Sequence, residues 1–141
     1  MYLLDTNHIS CWQRGRGNGY EQLVSNLRAR DPSEVFVSII SFHEQVVGWN
    51  SYLARAKSPE AIVKAYSQFE LILSDFSNMQ KLSFDAKSMD VFLELKAQRL
   101  RVSTMDLRIA SIAIANQITL VTNNTVDFAR IQNLSLEDWM S

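Results

Sequence analysis

An α/β fold, with a parallel sheet covered by helices on both faces, is predicted for this 141-residue chain by two observations. First, the runs Tyr2-Leu3-Leu4, Val35-Phe36-Val37-Ser38-Ile39-Ile40 and Thr119-Leu120-Val121-Thr122 are mainly apolar without polar alternation, as strands buried on both faces are. Second, the segments between them carry apolar residues at helical spacing, and strands that alternate with helices build parallel sheets. The first run also passes straight into Asp5-Thr6-Asn7. That puts a carboxylate at the C-terminal end of a buried strand, the edge at which open α/β sheets bind ligands.

Taken in order, the chain continues from Asn7 into a short helical segment carrying Ile9, Cys11 and Trp12, then into Arg14-Gly15-Arg16-Gly17-Asn18-Gly19, which holds three of its four glycines. A helix is expected from about Tyr20 to Arg30, ended by Asp31-Pro32-Ser33, because the residue before proline disfavours the α region. The second strand, 35–40, is β-branched and apolar. Ser41-Phe42-His43-Glu44 opens a helix reaching about Lys57, and Ser58-Pro59 starts the next, with serine at the N-cap and proline at the first helical position. That helix carries Ile62, Ala65, Tyr66, Phe69, Ile72, Leu73 and Phe76 at helical spacing, so the two helices form a hairpin rich in apolar side chains. A weak third strand covers Met79 to Phe84, and Asp85 caps a helix to about Leu100. Ser103-Thr104-Met105-Asp106 opens a helix from Leu107 to Gln117, dense in Ile and Ala and therefore buried. The fourth strand, 119–122, ends in Asn123, Asn124, Thr125 and Asp127, and an extended piece at Leu134-Ser135-Leu136 closes the chain near Trp139.

Composition bounds the function. The net charge of −1 gives no global attraction to nucleic acid or membrane, although a local basic patch can still bind a polyanion. One cysteine, Cys11, allows no intrachain disulfide and no cysteine-based metal site, which fits a reducing cytoplasm. The N-terminus has no basic n-region and its apolar run is cut at Asp5, unlike a signal peptide. The longest apolar stretch, around Ile109 to Ala115, is too short for a bilayer. A single cytoplasmic domain over 1–141 is expected.

Of fifteen acidic residues, most lie where solvated helix faces would put them, and four do not. Asp5 follows strand one, Glu44 lies in the first turn of the helix after strand two, Asp106 opens an apolar helix, and Asp127 follows the turn after strand four. Parallel strands bring these ends to one edge, so the four carboxylates can converge. Converging carboxylates raise one another's pKa unless a cation neutralises them. Mg²⁺ or Mn²⁺, held by a few carboxylates with waters completing the shell, is the natural solution. Such a site can polarise a phosphate oxygen and generate hydroxide from bound water. Each acid also has a plainer role. Ser41-x-x-Glu44 and Ser103-x-x-Asp106 have the form of capping boxes, and Asp127 can be a turn carboxylate. Asp5 has no capping job unless a helix starts at once at Thr6.

Other residues weigh less. His8 can reach the site or simply pack, and His43 points off the face of Glu44. Cys11 reads as core, and Trp12, Trp49 and Trp139 as core or interface before base-stacking platforms. Arg14, Arg16, Arg28 and Arg30 cluster near one loop, while Lys96, Arg99, Arg101 and Arg108 approach Asp106; both groups are solvated faces that could also track phosphates. No GxxxxGK[ST] or GxGxxG phosphate loop occurs.

Leu4-Asp5-Thr6-Asn7, Ser41-x-x-Glu44-x-x-x-Gly48, Thr104-Met105-Asp106-Leu107-Arg108-Ile109-Ala110 and Val121-Thr122-Asn123-Asn124-Thr125-x-Asp127-Phe128, in that order, resemble the PIN-domain ribonucleases, most of all the VapC-type toxins of bacterial toxin–antitoxin pairs. The resemblance covers essentially the whole chain. It implies a three-layer α/β/α sandwich with a central parallel sheet and Mg²⁺- or Mn²⁺-dependent cleavage of single-stranded RNA. Asp5, Glu44, Asp106 and Asp127 match the acidic quartet, and Asn7 and Thr122 the polar positions behind it. A homodimer is implied too, as is a VapB-type antitoxin laid against the helical hairpin 44–76, whose apolar excess suits a helix-in-groove interface. Ser103 stands where the family often has glycine, Asn123 where it often has arginine, and His8 where an aliphatic residue is usual. Two alternatives remain at this level: an aspartyl-nucleophile phosphatase attacking through Asp5, and a catalytically silent PIN scaffold that binds RNA or protein.

Overall fold

The computed structural model describes residues 1–141. Five parallel strands, β1 (Tyr2–Leu4), β2 (Val35–Ser38), β3 (Lys81–Leu82), β4 (Thr119–Val121) and β5 (Leu136–Glu137), form one sheet in the order β3-β2-β1-β4-β5. Seven helices connect them: α1 (Thr6–Arg14), α2 (Tyr20–Arg28), α3 (Ile39–Arg55), α4 (Pro59–Ser77), α5 (Ala86–Ala97), α6 (Thr104–Ala115) and α7 (Thr125–Phe128). The architecture is the α/β/α sandwich.

Alternation along the strands divides the core. Leu3 and Leu120 face Phe92, Leu95, Ile109 and Ile112 of α5 and α6. Leu4, Val37 and Val121 face the other way, onto Ile9 and Cys11 of α1, Leu23 of α2, and Ile72 and Phe76 of α4. Both faces are therefore dry, which is why the strands lack polar alternation. No helix is long and apolar enough to cross a membrane.

The chain runs outward from β1 through β2 to β3, then returns to the other side of β1 with β4. The strand order thus reverses between β1 and β4, and ligand crevices form at such switch points. Leu4 pairs with both Val37 and Val121, so the next row across the sheet is Asp5, Ser38 and Thr122. All three are buried. The Asp5 N–H donates to the Val121 carbonyl at 2.9 Å, carrying the ladder one residue past the strand.

Element boundaries moved at three informative places. The second strand stops at Ser38, and Ile39 and Ile40 already belong to α3. The Ser38 hydroxyl accepts from the Ser41 N–H at 3.2 Å, so Ser38 and not Ser41 is the N-cap. The β-branched pair enters the helix because Ile40 packs with the α5–α6 core, and tertiary burial outweighs local preference. At α6 the expected cap holds, but the helix starts at Thr104, because the Ser103 hydroxyl accepts from the Asp106 N–H. Finally, α1 starts at Thr6, directly after the strand.

Candidate active site

That immediate start gives Asp5 a capping job after all. Its Oδ1 accepts from the Thr6 N–H at 2.7 Å, while Oδ2 accepts from the Thr122 hydroxyl at 2.8 Å. The Thr122 oxygen in turn accepts from the Asn124 N–H at 3.0 Å. Asp5 is 5% exposed, and burial pushes its pKa above the ordinary aspartate value, against the pull of those two hydrogen bonds.

Thr6 ties Asp5 to Glu44. Its hydroxyl donates to Glu44 Oε1 at 2.8 Å and lies 2.9 Å from the Ser41 hydroxyl. A hydroxyl has one proton, so when Thr6 spends its own on Glu44, Ser41 must be the donor to Thr6. Ser41 is fully buried on the first turns of α3, one helical turn before Glu44, which makes it a support for the site rather than a cap. Burial is the largest cause raising the pKa of Glu44, and the charges of Asp5 and Asp106 add to it. Asp106, in the first turn of α6, is raised by burial, then by Asp5, and to a lesser extent by Asp127. These three carboxylates thus share one electrostatic environment. None has a Lys, Arg or His nitrogen within 4.0 Å.

Asp127 stands differently. Arg130 donates to its Oδ1 at 2.6 Å and Asn124 to its Oδ2 at 3.1 Å, so its charge is already met. Arg130 also donates to the Arg101 carbonyl, tying the segment after α7 to the start of the α6 cap. Asn7, exposed on α1, donates to the Asn123 side chain at 3.1 Å across the β1/β4 crevice.

The carboxylates do not close to the spacing of three ligands around one ion. A magnesium-like ion does not demand that. It is commonly held through one or two carboxylates and keeps several waters. Three buried or half-buried acids with raised pKa values, Asp5 adding to the rise at Glu44 and Asp106, and no basic side chain among them are a charge deficit that a hard divalent cation matches. The residues fit such an ion.

Several side chains that the sequence offers only as lesser candidates lie elsewhere. His8 is fully buried and turned to the C-terminal segment, where Nε2 accepts from the Trp139 N–H at 3.2 Å. His43 is exposed. Arg30 stacks on Trp139 and Tyr2 and pairs with Glu137, so it is structural. Lys96 and Arg108 lie over the Phe92 ring and make no ion pair with Asp106.

The PIN-domain family matches residues 2–134. The chain belongs to the PIN-domain family. Ribonuclease VapC2 of Rickettsia felis is 32% identical to this PIN domain over 147 residues, covering 99% of this chain and 98% of that one, which places it in the VapC branch. The structure of VapBC2 from the same organism, bound to a DNA fragment from the promoter, has a chain 30% identical with a TM-score of 0.69, covering 98% of both chains. VapBC-1 from nontypeable Haemophilus influenzae, 21% identical with a TM-score of 0.77 over 99% of this chain and 98% of that one, shares the PIN fold.

Thr6, Ser41 and Arg130 hold the acids through contacts that the sequence pattern does not assign to them. Thr6 was findable, since it abuts Asp5. Arg130 carries an i,i+3 signal from Asp127, but the four-residue helix that makes the spacing meaningful is too short to read.

Proposed function

We propose that this VapC-branch PIN domain is a divalent-metal-dependent endoribonuclease that cleaves single-stranded RNA as the toxin of a toxin–antitoxin pair. The carrying observation is the cluster of Asp5, Glu44 and Asp106: burial raises all three pKa values, the Asp5 charge adds to the rise at Glu44 and Asp106, and no basic side chain neutralises them. Kinship with Ribonuclease VapC2 supports the reaction class.

In this reading Asp5 and Asp106 are the principal ligands of Mg²⁺ or Mn²⁺, and Glu44 and Asp127 complete the site directly or through water. When bound, such an ion supplies Lewis-acid polarisation of a phosphate oxygen and acidifies water. The chain's own part is to hold the acids still. Thr122 and the Thr6 N–H fix both oxygens of Asp5, and the Ser41–Thr6 pair fixes Glu44. Asn7 and Asn123 bridge the β1/β4 crevice at its exposed edge. Arg130 is held by Asp127 and the Arg101 carbonyl, and would meet a substrate phosphate only by giving up Asp127. The phosphatase alternative wants an acid two residues after Asp5, where Asn7 donates its amide to Asn123.

A VapB-type antitoxin is the proposed partner of the hairpin 44–76, supported by relatives solved as VapBC complexes. The outward residues of α4 favour it: Val63 and Leu73 are 65% and 63% exposed, with Ile62, Tyr66 and Leu71 beside them. A homodimer is proposed as well, and Met89 and Leu93, one turn apart on α5, give it an exposed apolar contact.

The test is cleavage of labelled single-stranded and double-stranded RNA by purified protein, in excess chelator and after add-back of Mg²⁺ or Mn²⁺. Cleavage confined to the single strand and to add-back conditions is expected. Equal cleavage in chelator would contradict the metal, and no cleavage under any condition would contradict the activity.

A further inference from the structure

We propose that the face of α3 beyond Glu44 is a nucleotide-binding subsite, at which a base of single-stranded RNA stacks on Trp49 and Tyr52 while a phosphate meets Arg55. The proposal rests on the ribonuclease reading and extends it to how the substrate is held.

A groove of about 460 Å³ starts at Thr6 and Glu44 and runs past Gly48, Trp49 and Tyr52 to Arg55. It therefore shares its first wall with the acidic site. Glu44, Gly48, Tyr52 and Arg55 follow one another by four, four and three residues, which is a single stripe of the helix. From Glu44 to Arg55 the stripe is about 16 Å long, so Arg55 meets a phosphate other than the one being cut.

Gly48 supplies the floor. A glycine in the middle of a 17-residue helix weakens it, yet a Cβ placed there meets nothing within 4 Å. No neighbour requires the missing side chain. What it leaves is open space beside two aromatic rings.

Those rings are half-buried, with centroids 5.1 Å apart and planes at 66°. Lys64 of α4 reaches to 5.8 Å from the Tyr52 ring. Neither Arg55 nor Lys64 has a carboxylate within 4.0 Å. Aromatic rings beside an unpaired cation, here Arg55, along one groove are how single-stranded nucleic acid is held without base-specific hydrogen bonds, and Lys64 adds positive charge behind the Tyr52 ring. With a net charge of −1, attraction to RNA has to come from such local cations. Arg55 also complements the C-terminal end of α3, but any cation would do that, and it explains neither the rings nor the glycine. Polar Ser10 and Gln45 complete the wall, unlike the apolar outer face of α4 that suits a protein partner.

The experiment measures binding of a labelled single-stranded RNA oligonucleotide by fluorescence anisotropy, using full-length protein carrying Asp5→Asn to prevent cleavage. Wild-type cleavage is followed in parallel. Adding Tyr52→Ala is expected to weaken binding about tenfold, with recovery in Tyr52→Phe, which keeps the ring. Arg55→Ala is expected to lower the slope of log K against log salt by about 0.7. Gly48→Leu is expected to fill the groove and weaken binding while thermal unfolding shows the fold retained. Unchanged affinity in Tyr52→Ala and Gly48→Leu, with the parent protein still binding RNA, would overturn the subsite and leave the ribonuclease reading intact. Normal RNA binding with loss only of antitoxin binding would overturn it too, assigning the groove to the protein partner. Wild-type protein that neither binds nor cuts RNA would overturn the ribonuclease reading and the subsite with it.

Discussion

At Asp5 a helix cap and a buried acid are the same side chain, and its titration carries a signature. Asp5, Glu44 and Asp106 all have pKa values raised on folding. In the unfolded chain they titrate near pH 4. Their contribution to stability is complete below that pH and is lost as the pH rises through their folded values. In excess chelator, Asp5→Asn should therefore become more stable relative to wild type as pH climbs above about 4, read as the difference in Tm. A difference that does not change with pH would remove Asp5 as a source of strain. His8 has the opposite sign: burial lowers its pKa, so the stability it contributes is present above about pH 6.5 and is lost as pH falls through the folded value. His8→Gln keeps an acceptor for the Trp139 N–H without the titration, and should flatten the acid-side loss of Tm. An unaltered pH profile in that variant would contradict the assignment. Asp5 stood out in the sequence because a carboxylate straight after an apolar run is unusual, whereas Glu44, Asp106 and Asp127 stood out only by their places after predicted strands and at a helix start. The neighbour of His8 was not legible, because Trp139 lies 131 residues away and nothing local points to it.

At the scale of elements, residues that stop one structure and start another were the hardest to read. Ile39 and Ile40 have the composition of a strand and the position of a helix, and only the Ser38 cap, confirmed by its bond to the Ser41 N–H, decides between them. Ser38→Ala should cost about 1 kcal/mol in urea unfolding. No loss would contradict the boundary. Ser58-Pro59 and Asp85 were read correctly from the same chemistry, since each stands before an unambiguous periodic run. The start of α1 was missed because a three-residue strand gives no room for a turn before the helix. That omission mattered, as it hid the cap at Asp5.

At the scale of the molecule, the parallel sheet was legible, and with it the meeting of strand ends at one edge. The order β3-β2-β1-β4-β5 was not, since periodicity says nothing of which strands are neighbours. Yet that order places the switch point between Asp5 and Thr122. The C-terminal segment was read only as an extended closing piece. The family match ends at residue 134, but Trp139 is 2% exposed, packed against Tyr2 at 4.9 Å and under Arg30 at 4.2 Å. Trp139→Ala should cost about 3–5 kcal/mol by chemical unfolding. A cost below 1 kcal/mol, a level typical of surface changes, would show the tail to be an appendage.

The central claim is that the acidic edge built around Asp5 cuts RNA with a divalent ion. It is tested most directly by the initial rate of single-stranded RNA cleavage in Mn²⁺ for wild type and Asp5→Asn side by side, each checked for fold by circular dichroism. We expect cleavage by wild type, and none above background by a folded Asp5→Asn protein. A folded Asp5→Asn protein that cuts at the wild-type rate would contradict the claim.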